Sequence, residues 1–191
     1  MTIPTPSFTS AQVASELGIT GAWTSGQIAT DCRFSGTWSS SSLAGLTKAA
    51  QGATVFSSSA SSWSYTWTAA DGLYMTITLA GGDGGDYNPG GEIGDTNGGG
   101  GGTCISKYAI AVGTVITGTC GAGGTAGGVA GTASTASCST LGMSLNAGGG
   151  ASGKSGGAGG SASGANVAND TGLSQVGGEA GGFVSIVSTY S

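Results

Sequence analysis

Gly118-Thr-Cys-Gly121-Ala-Gly-Gly124-Thr-Ala-Gly127 and Gly150-Ala-Ser-Gly153-Lys-Ser-Gly156-Gly-Ala-Gly159 carry glycine at every third position. Three residues per turn is the period of the extended left-handed helix without internal hydrogen bonds, and glycine at that period leaves one face bare of side chains. Such a face can lie backbone to backbone against a neighbour and give its amides to that neighbour's carbonyls. The two stretches therefore predict a bundle of polyglycine-II-type segments with Gly118, Gly121, Gly124, Gly127, Gly150, Gly153, Gly156 and Gly159 as its structural glycines. A flexible linker is the competing reading, because glycine has the largest entropic cost of ordering.

Working outward, apolar runs recur between the glycine pieces: Cys104 to Val112, Val115-Ile116, Leu141 to Leu145 and Phe183 to Val187. A linker has no need of them. Only seven of the 42 glycines precede Ala80, so glycine is a regional device. Collagen is the weaker alternative, since the triplets are short and broken and the chain holds three prolines.

Upstream, Leu73, Met75, Ile77 and Leu79 alternate with Tyr74, Thr76 and Thr78, and Trp63, Tyr65 and Trp67 alternate with Ser64, Thr66 and Thr68. Both patterns have the period of two of a strand with one buried face. The aromatic row reads as core in preference to a sugar platform. Asp71-Gly72 lies between the two strands and predicts a hairpin turn. Ala53 to Phe56 reads as a short strand, and the serine-rich Phe34 to Leu46 as turns and an edge strand.

At the start of the chain, Thr9 with Gln12 and Thr24 with Gln27 have the spacing of helix capping boxes. Phe8, Val13, Leu17, Trp23 and Ile28 then form the apolar side of two short helices, too short to be stable alone. Their face must dock, either on this chain or as an anchor in a larger assembly. The expected fold is mainly β with short N-terminal helices and a C-terminal glycine-rich domain of short β-strands and polyglycine-II-type segments. Its parts are a docking segment 1–34, a serine- and aromatic-rich β region 35–69 and a glycine-rich domain 70–191.

Four basic and nine acidic residues in 191 give a net charge of −5. No basic patch exists to release counterions from phosphate, which excludes a nucleic-acid role. The opening Met-Thr-Ile-Pro-Thr-Pro lacks the features of an export signal, and no apolar run is long enough to span a bilayer, so a soluble chain without membrane insertion is expected. Cys32, Cys104, Cys120 and Cys138 contain no Cys-x-x-Cys pair and the chain has no histidine. Small buried hydrophobes are the expected role of these thiols, ahead of disulfides or metal ligands.

The acidic loop Gly81-Gly-Asp83-Gly-Gly-Asp86-Tyr87-Asn88-Pro89-Gly-Gly-Glu92-Ile-Gly-Asp95 offers oxygen ligands at Asp83, Asp86, Asn88, Glu92 and Asp95. Their spacing matches neither an EF-hand nor a nonapeptide calcium repeat. An exposed contact loop, with Tyr87 among those residues, is the preferred reading; no metal and no cofactor is expected. Catalysis is disfavoured, because the absence of histidine and the scatter of Arg33, Lys48, Lys107 and Lys154 prevent the usual triads and phosphate clamps. Gly150-Ala-Ser-Gly-Lys154-Ser155 has part of a nucleotide loop's spacing but lacks the amphipathic helix that must follow it.

The strand running into Gly-Gly-x-Gly-Gly, Tyr74-Met-Thr-Ile-Thr-Leu-Ala-Gly-Gly-Asp-Gly-Gly85, resembles the glycine-rich domains of bacteriophage tail and tail-fibre proteins. Leu145-Asn-Ala-Gly-Gly-Gly150 and Gly181-Gly-Phe-Val-Ser-Ile-Val187 are similar to the rest of that domain, and Phe8 to Gly18 to the helical start of some of these proteins. The resemblance implies a virion structural component, assembled in a bacterial cytoplasm, that docks other virion proteins through its N-terminus and offers a rigid module to a bacterial surface receptor. A capsid decoration or head-fibre protein is the alternative, and an ice- or surface-binding polyglycine bundle the next. Glycine-faced packing adds an expected homo-oligomer, taken as a trimer.

Overall fold

The computed structural model describes residues 9, 12, 13, 24, 53–68, 71–72, 74–87, 97–155, 157–174 and 180–189. Its strands are β1 (Ala53–Ser58), β2 (Trp63–Thr66), β3 (Tyr74–Ala80), β4 (Thr103–Ala109), β5 (Val115–Thr119), β6 (Ser134–Cys138), β7 (Met143–Ala147), β8 (Ala162–Ser163), β9 (Ala168–Asp170) and β10 (Phe183–Thr189). They make two five-stranded sheets, β1-β10-β3-β4-β9 and β2-β5-β6-β7-β8. Every neighbouring pair is antiparallel. The mainly β expectation holds.

The period of two explains how the sheets meet. Met75, Ile77 and Leu79 of β3, Cys104 of β4 and Val184 and Ile186 of β10 turn one way. Trp63, Ile116, Ala136, Cys138, Met143 and Leu145 of the other sheet turn toward them, and all join one buried cluster. Each large aliphatic or aromatic side chain buried there contributes about 1.5–3 kcal/mol relative to exposure, which offsets the ordering of so glycine-rich a chain. The strands β1 and β2 complete the two sheets, so the boundary expected at residue 69 falls inside this sandwich.

Asp71-Gly72 does not close a hairpin. The strand β2 pairs with β5 in one sheet, whereas β3 pairs with β10 and β4 in the other, so the chain changes sheet at this corner. The physical reason is the Asp71 carboxylate, which accepts from Thr68 N at 2.7 Å, Thr68 Oγ1 at 3.0 Å and Tyr65 Oη at 2.8 Å and bends the chain out of β2. Trp67 N donates to Thr114 O at 2.9 Å, and Gly72 N donates across to Ser188 Oγ at 2.9 Å. Trp67 itself is core, with its Nε1 donating to Gly72 O at 3.0 Å.

Burial, then the hydrogen bond and charge of Asp71, push the Tyr65 phenol up to about 12. A group that holds its proton more tightly when folded loses its stabilising share as pH rises from the unfolded value of about 10 toward 12. Tyr65→Phe is therefore expected to be less stable than wild type at pH 8, with the gap narrowing by pH 11.5. Paired urea melts measure it, and a constant gap would show that the phenol's proton is not held by this corner.

Cys104, Cys120 and Cys138 are buried free thiols that act as small packing groups; Cys32 lies outside the described residues. Burial pushes the Cys120 thiol up, which keeps it in the unreactive form. Near the start, Thr9 N donates to Gln12 Oε1 at 2.7 Å and Gln12 N to Thr9 Oγ1 at 3.2 Å, the reciprocal bonds of a capping box. Val13 is buried and its N donates to Thr9 O at 3.1 Å. Phe8, Leu17, Trp23, Gln27 and Ile28 lie outside the described residues, as do the turns and edge strand expected over Phe34 to Leu46.

Candidate functional site: the loop end of the glycine layer

Eight strands run directly into, or out of, glycine-rich segments. From the first sheet come 81–86, 98–102, 171–173 and 180–182, and from the second 120–125, 129–133, 148–153 and 157–161. The segments stack as two layers that continue the two sheets.

Their hydrogen bonds follow a period of three. In 81–86, Gly81 N and Gly84 N donate to Gly102 O and Gly99 O, Gly82 N and Gly85 N to Thr132 O and Val129 O, and Asp83 N to Ala180 O, all at 2.8–3.0 Å. Successive amides therefore reach three different neighbours, two in the same layer and one in the other. The segment 148–153 behaves alike: Gly148 N and Ala151 N donate to Ser161 O and Ala158 O, while Gly150 N and Gly153 N donate across to Gly82 O and Gly85 O. A sheet confines its hydrogen bonds to one plane; here they cross between layers as well. Backbones can approach this closely only without Cβ atoms. One built on Gly81 would fall on Gly148 O, on Gly84 on Ala151 O, and on Gly150 on Gly99 O.

The expected glycines separate by role. Gly121, Gly124, Gly150 and Gly159 face neighbouring backbone. Gly118 lies within β5, where a Cβ would strike Thr135 O and the Trp63 ring. Gly127 faces open space with φ at +101°, so it serves a turn. Gly153 opens a 3-10 turn, Gly153–Ser155, and none of the described residues 157–174 is helical, so no helix is seen there to make a nucleotide loop. Gly156 lies outside the described residues.

Of the acidic pair, Asp83 is half-buried and Asp86 exposed. Asp83 Oδ1 accepts from Gly101 N at 2.8 Å and Asp86 Oδ1 from Gly98 N at 2.9 Å, so both carboxylates are used inside the layer. Their spacing of three matches the spacing of the two amides on the antiparallel neighbour. Tyr87, expected as a free contact, is half-buried. Lys154 Nζ stands 5.8 Å from its ring centroid, and a Cβ on Gly128 would come within 3.1 Å of its Cδ2. Gly127 N and Gly128 N both donate to Asp86 O at 3.1 Å. Three connections thus meet at one end of the layer: the start of 87–97, the turn at 126–128 and the turn at 153–155. Asn88, Glu92 and Asp95 lie outside the described residues, and among those described no three acidic, cysteine or histidine groups stand together as metal ligands.

Comparison with protein-family models, curated proteins and solved structures finds no match. The site therefore has to be read from its own geometry. The chain enters β1 at Ala53 beside Ser188 and leaves β10 at Thr189 beside Tyr74, at the sandwich end remote from the glycine layer. Seven strand residues at about 3.3 Å and six extended glycine-segment residues at about 3.1 Å set the two ends roughly 40 Å apart. Sequence reasoning missed Gly128 and gave Lys154 no role here. A signal existed for Lys154, the only cation in the glycine-dense stretch from Gly113 to Gly182. Nothing in the sequence tied it to Tyr87.

Proposed function

We propose that this chain is a bacteriophage virion structural protein of the tail-fibre, tail-tip or baseplate-associated class, anchored through its N-terminal segment and presenting the loop end of the glycine layer to a host surface or protein. Its glycine layer is a polyglycine-II-type bundle that serves as the stem. The observation that carries this reading is the opposition of the two ends: the chain enters at one, and the loops gather at the other. A stem hydrogen-bonded in more than one direction holds those loops against bending, which lowers the ordering cost of contact. The role is binding, without catalysis. The homo-oligomer is assigned to the anchor, because the glycine faces are turned on one another within a single chain.

Mass spectrometry of purified virions tests the proposal. The chain is expected among the structural proteins, and removal of residues 1–34 is expected to eliminate it from particles while it is still made in the cell. Its absence from virions, or incorporation of the truncated chain at the normal level, would overturn the reading.

A further inference from the structure

The outer face of the sheet β2-β5-β6-β7-β8 carries small polar side chains that take no part in the core. Register places Ser64, Thr117, Ser137 and Ser144 in one row across four strands, with Thr119 and Thr135 leading the next. All six are exposed. Thr119 Oγ1 and Thr135 Oγ1 share a hydrogen bond of 2.9 Å, and Thr117 Oγ1 lies 3.5 Å from Ser137 Oγ. Strands stand about 4.8 Å apart, and residues facing the same side recur about every 6.8 Å along each. Val115 and Asn146 stand on the same side, and around them the face is a two-dimensional array of hydroxyls. The five strands contain no Asp, Glu, Lys or Arg, although about a quarter of residues in ordinary domains are charged.

We propose that this face docks an uncharged, extended polysaccharide lying across the strands. Hydroxyls both donate and accept, as the hydroxyls of a sugar require. Charge complementarity points the same way: a neutral polymer meets no unpaired ion here, whereas an acidic or basic polymer finds no counter-charge to repay its desolvation. The step from strand to strand is close to the advance per sugar of an extended β-linked chain, so one hydroxyl meets each sugar along the row. No aromatic ring stands among the six, so stacking is absent and each chain binds weakly. Useful retention comes from several copies acting together. That multiplicity rests on the virion reading; the chemistry of the face does not.

The test is depletion of the full chain from solution by amorphous cellulose and by chitin, with an anionic polysaccharide gel as control. Depletion is expected on the two neutral polymers and not on the control, and it is expected to be unchanged between about 0.1 and 1 M salt because no ion pair is screened. Thr117→Glu with Thr135→Glu is expected to lower retention about tenfold, which corresponds to roughly 1.4 kcal/mol. The isosteric pair Thr117→Val and Thr135→Val, which keeps strand propensity, is expected to lower it in the same direction. Lys154→Ala at the loop end is expected to leave it unchanged. No depletion by either neutral polymer, unaltered depletion by both variant pairs with wild-type melting curves, or adsorption to ice alone would overturn the proposal. Retention by a chain that is absent from virions would support this inference while removing the virion reading.

Discussion

Gly150→Ala is expected to prevent the chain from reaching its folded state, or to cost more than about 4 kcal/mol where it does, while Gly127→Ala costs about 1–3 kcal/mol. At Gly150 the new Cβ would fall on Gly99 O and lie 2.9 Å from Gly84 N. Neither atom can move alone, because Gly84 N donates to Gly99 O at 2.8 Å. Gly150 N donates to Gly82 O and Gly150 O accepts from Gly131 N, both at 2.9 Å. Separating these backbones leaves several buried amides and carbonyls unpaired at about 1–3 kcal/mol each, against a whole-domain stability of about 5–15 kcal/mol. Gly127 has open space and only its positive φ to forfeit. Urea melts of the two variants beside wild type decide the matter. A Gly150→Ala chain that melts within about 1 kcal/mol of wild type would mean that the segments are not in backbone contact.

That contrast marks how far the sequence can be read. Met75, Ile77 and Leu79 announce β3 because their alternation is local and their side chains are large. Phe183 to Val187 announce β10 for the same reason. The strand β6 is hidden, since Ser134, Ala136 and Cys138 are its inward residues and none is bulky enough to register as a core face. The false hairpin at Asp71-Gly72 has a similar origin. A turn signal reports that the chain bends, but the choice of partner strand depends on Ser188 and Thr114, far away in sequence. Glycine at every third position reveals the bare face of a segment. It cannot distinguish Gly124, which meets Val129 O and Gly85 N, from Gly127, which turns the chain six residues later than Gly121 in the same frame.

The loop end was less legible than the stem. Acidic residues among glycines look like a solvated tip, and Asp83 and Asp86 have no local feature that ties them to Gly101 and Gly98. Their bonds appear only once the two segments are laid antiparallel, where residues 83 and 101, and 86 and 98, fall opposite each other. Tyr87 reads as exposed in the sequence for the same reason, because Gly128 and Lys154 reach it from two later connections.

Asp83→Ala together with Asp86→Ala is expected to destabilise the chain by about 3–5 kcal/mol, while the corresponding pair of asparagine changes costs less than about 2 kcal/mol. Gly98 N and Gly101 N point out of their own segment toward 81–86 and donate there to side-chain oxygens. The carboxylates accept at 2.9 Å and 2.8 Å. Alanine leaves both amides unpaired in a layer where water has little access; Gly98 is buried and Gly101 partly so. Asparagine keeps an oxygen in the same place and loses only the assistance of the charge. Asp83 is half-buried and Asp86 exposed, so the larger share belongs to Asp83 and the share of Asp86 is reduced by solvent screening. Thermal and urea melts give the stability order, and hydrogen exchange at Gly98 and Gly101 locates the loss. The alanine pair is also expected to speed exchange at Tyr87 and Asn97, which flank these contacts, before the sandwich unfolds. Equal stability of the alanine and asparagine pairs would show that the acceptor oxygen does not hold the loop base, and the stem would then lack the device that fixes its loops at the exposed end.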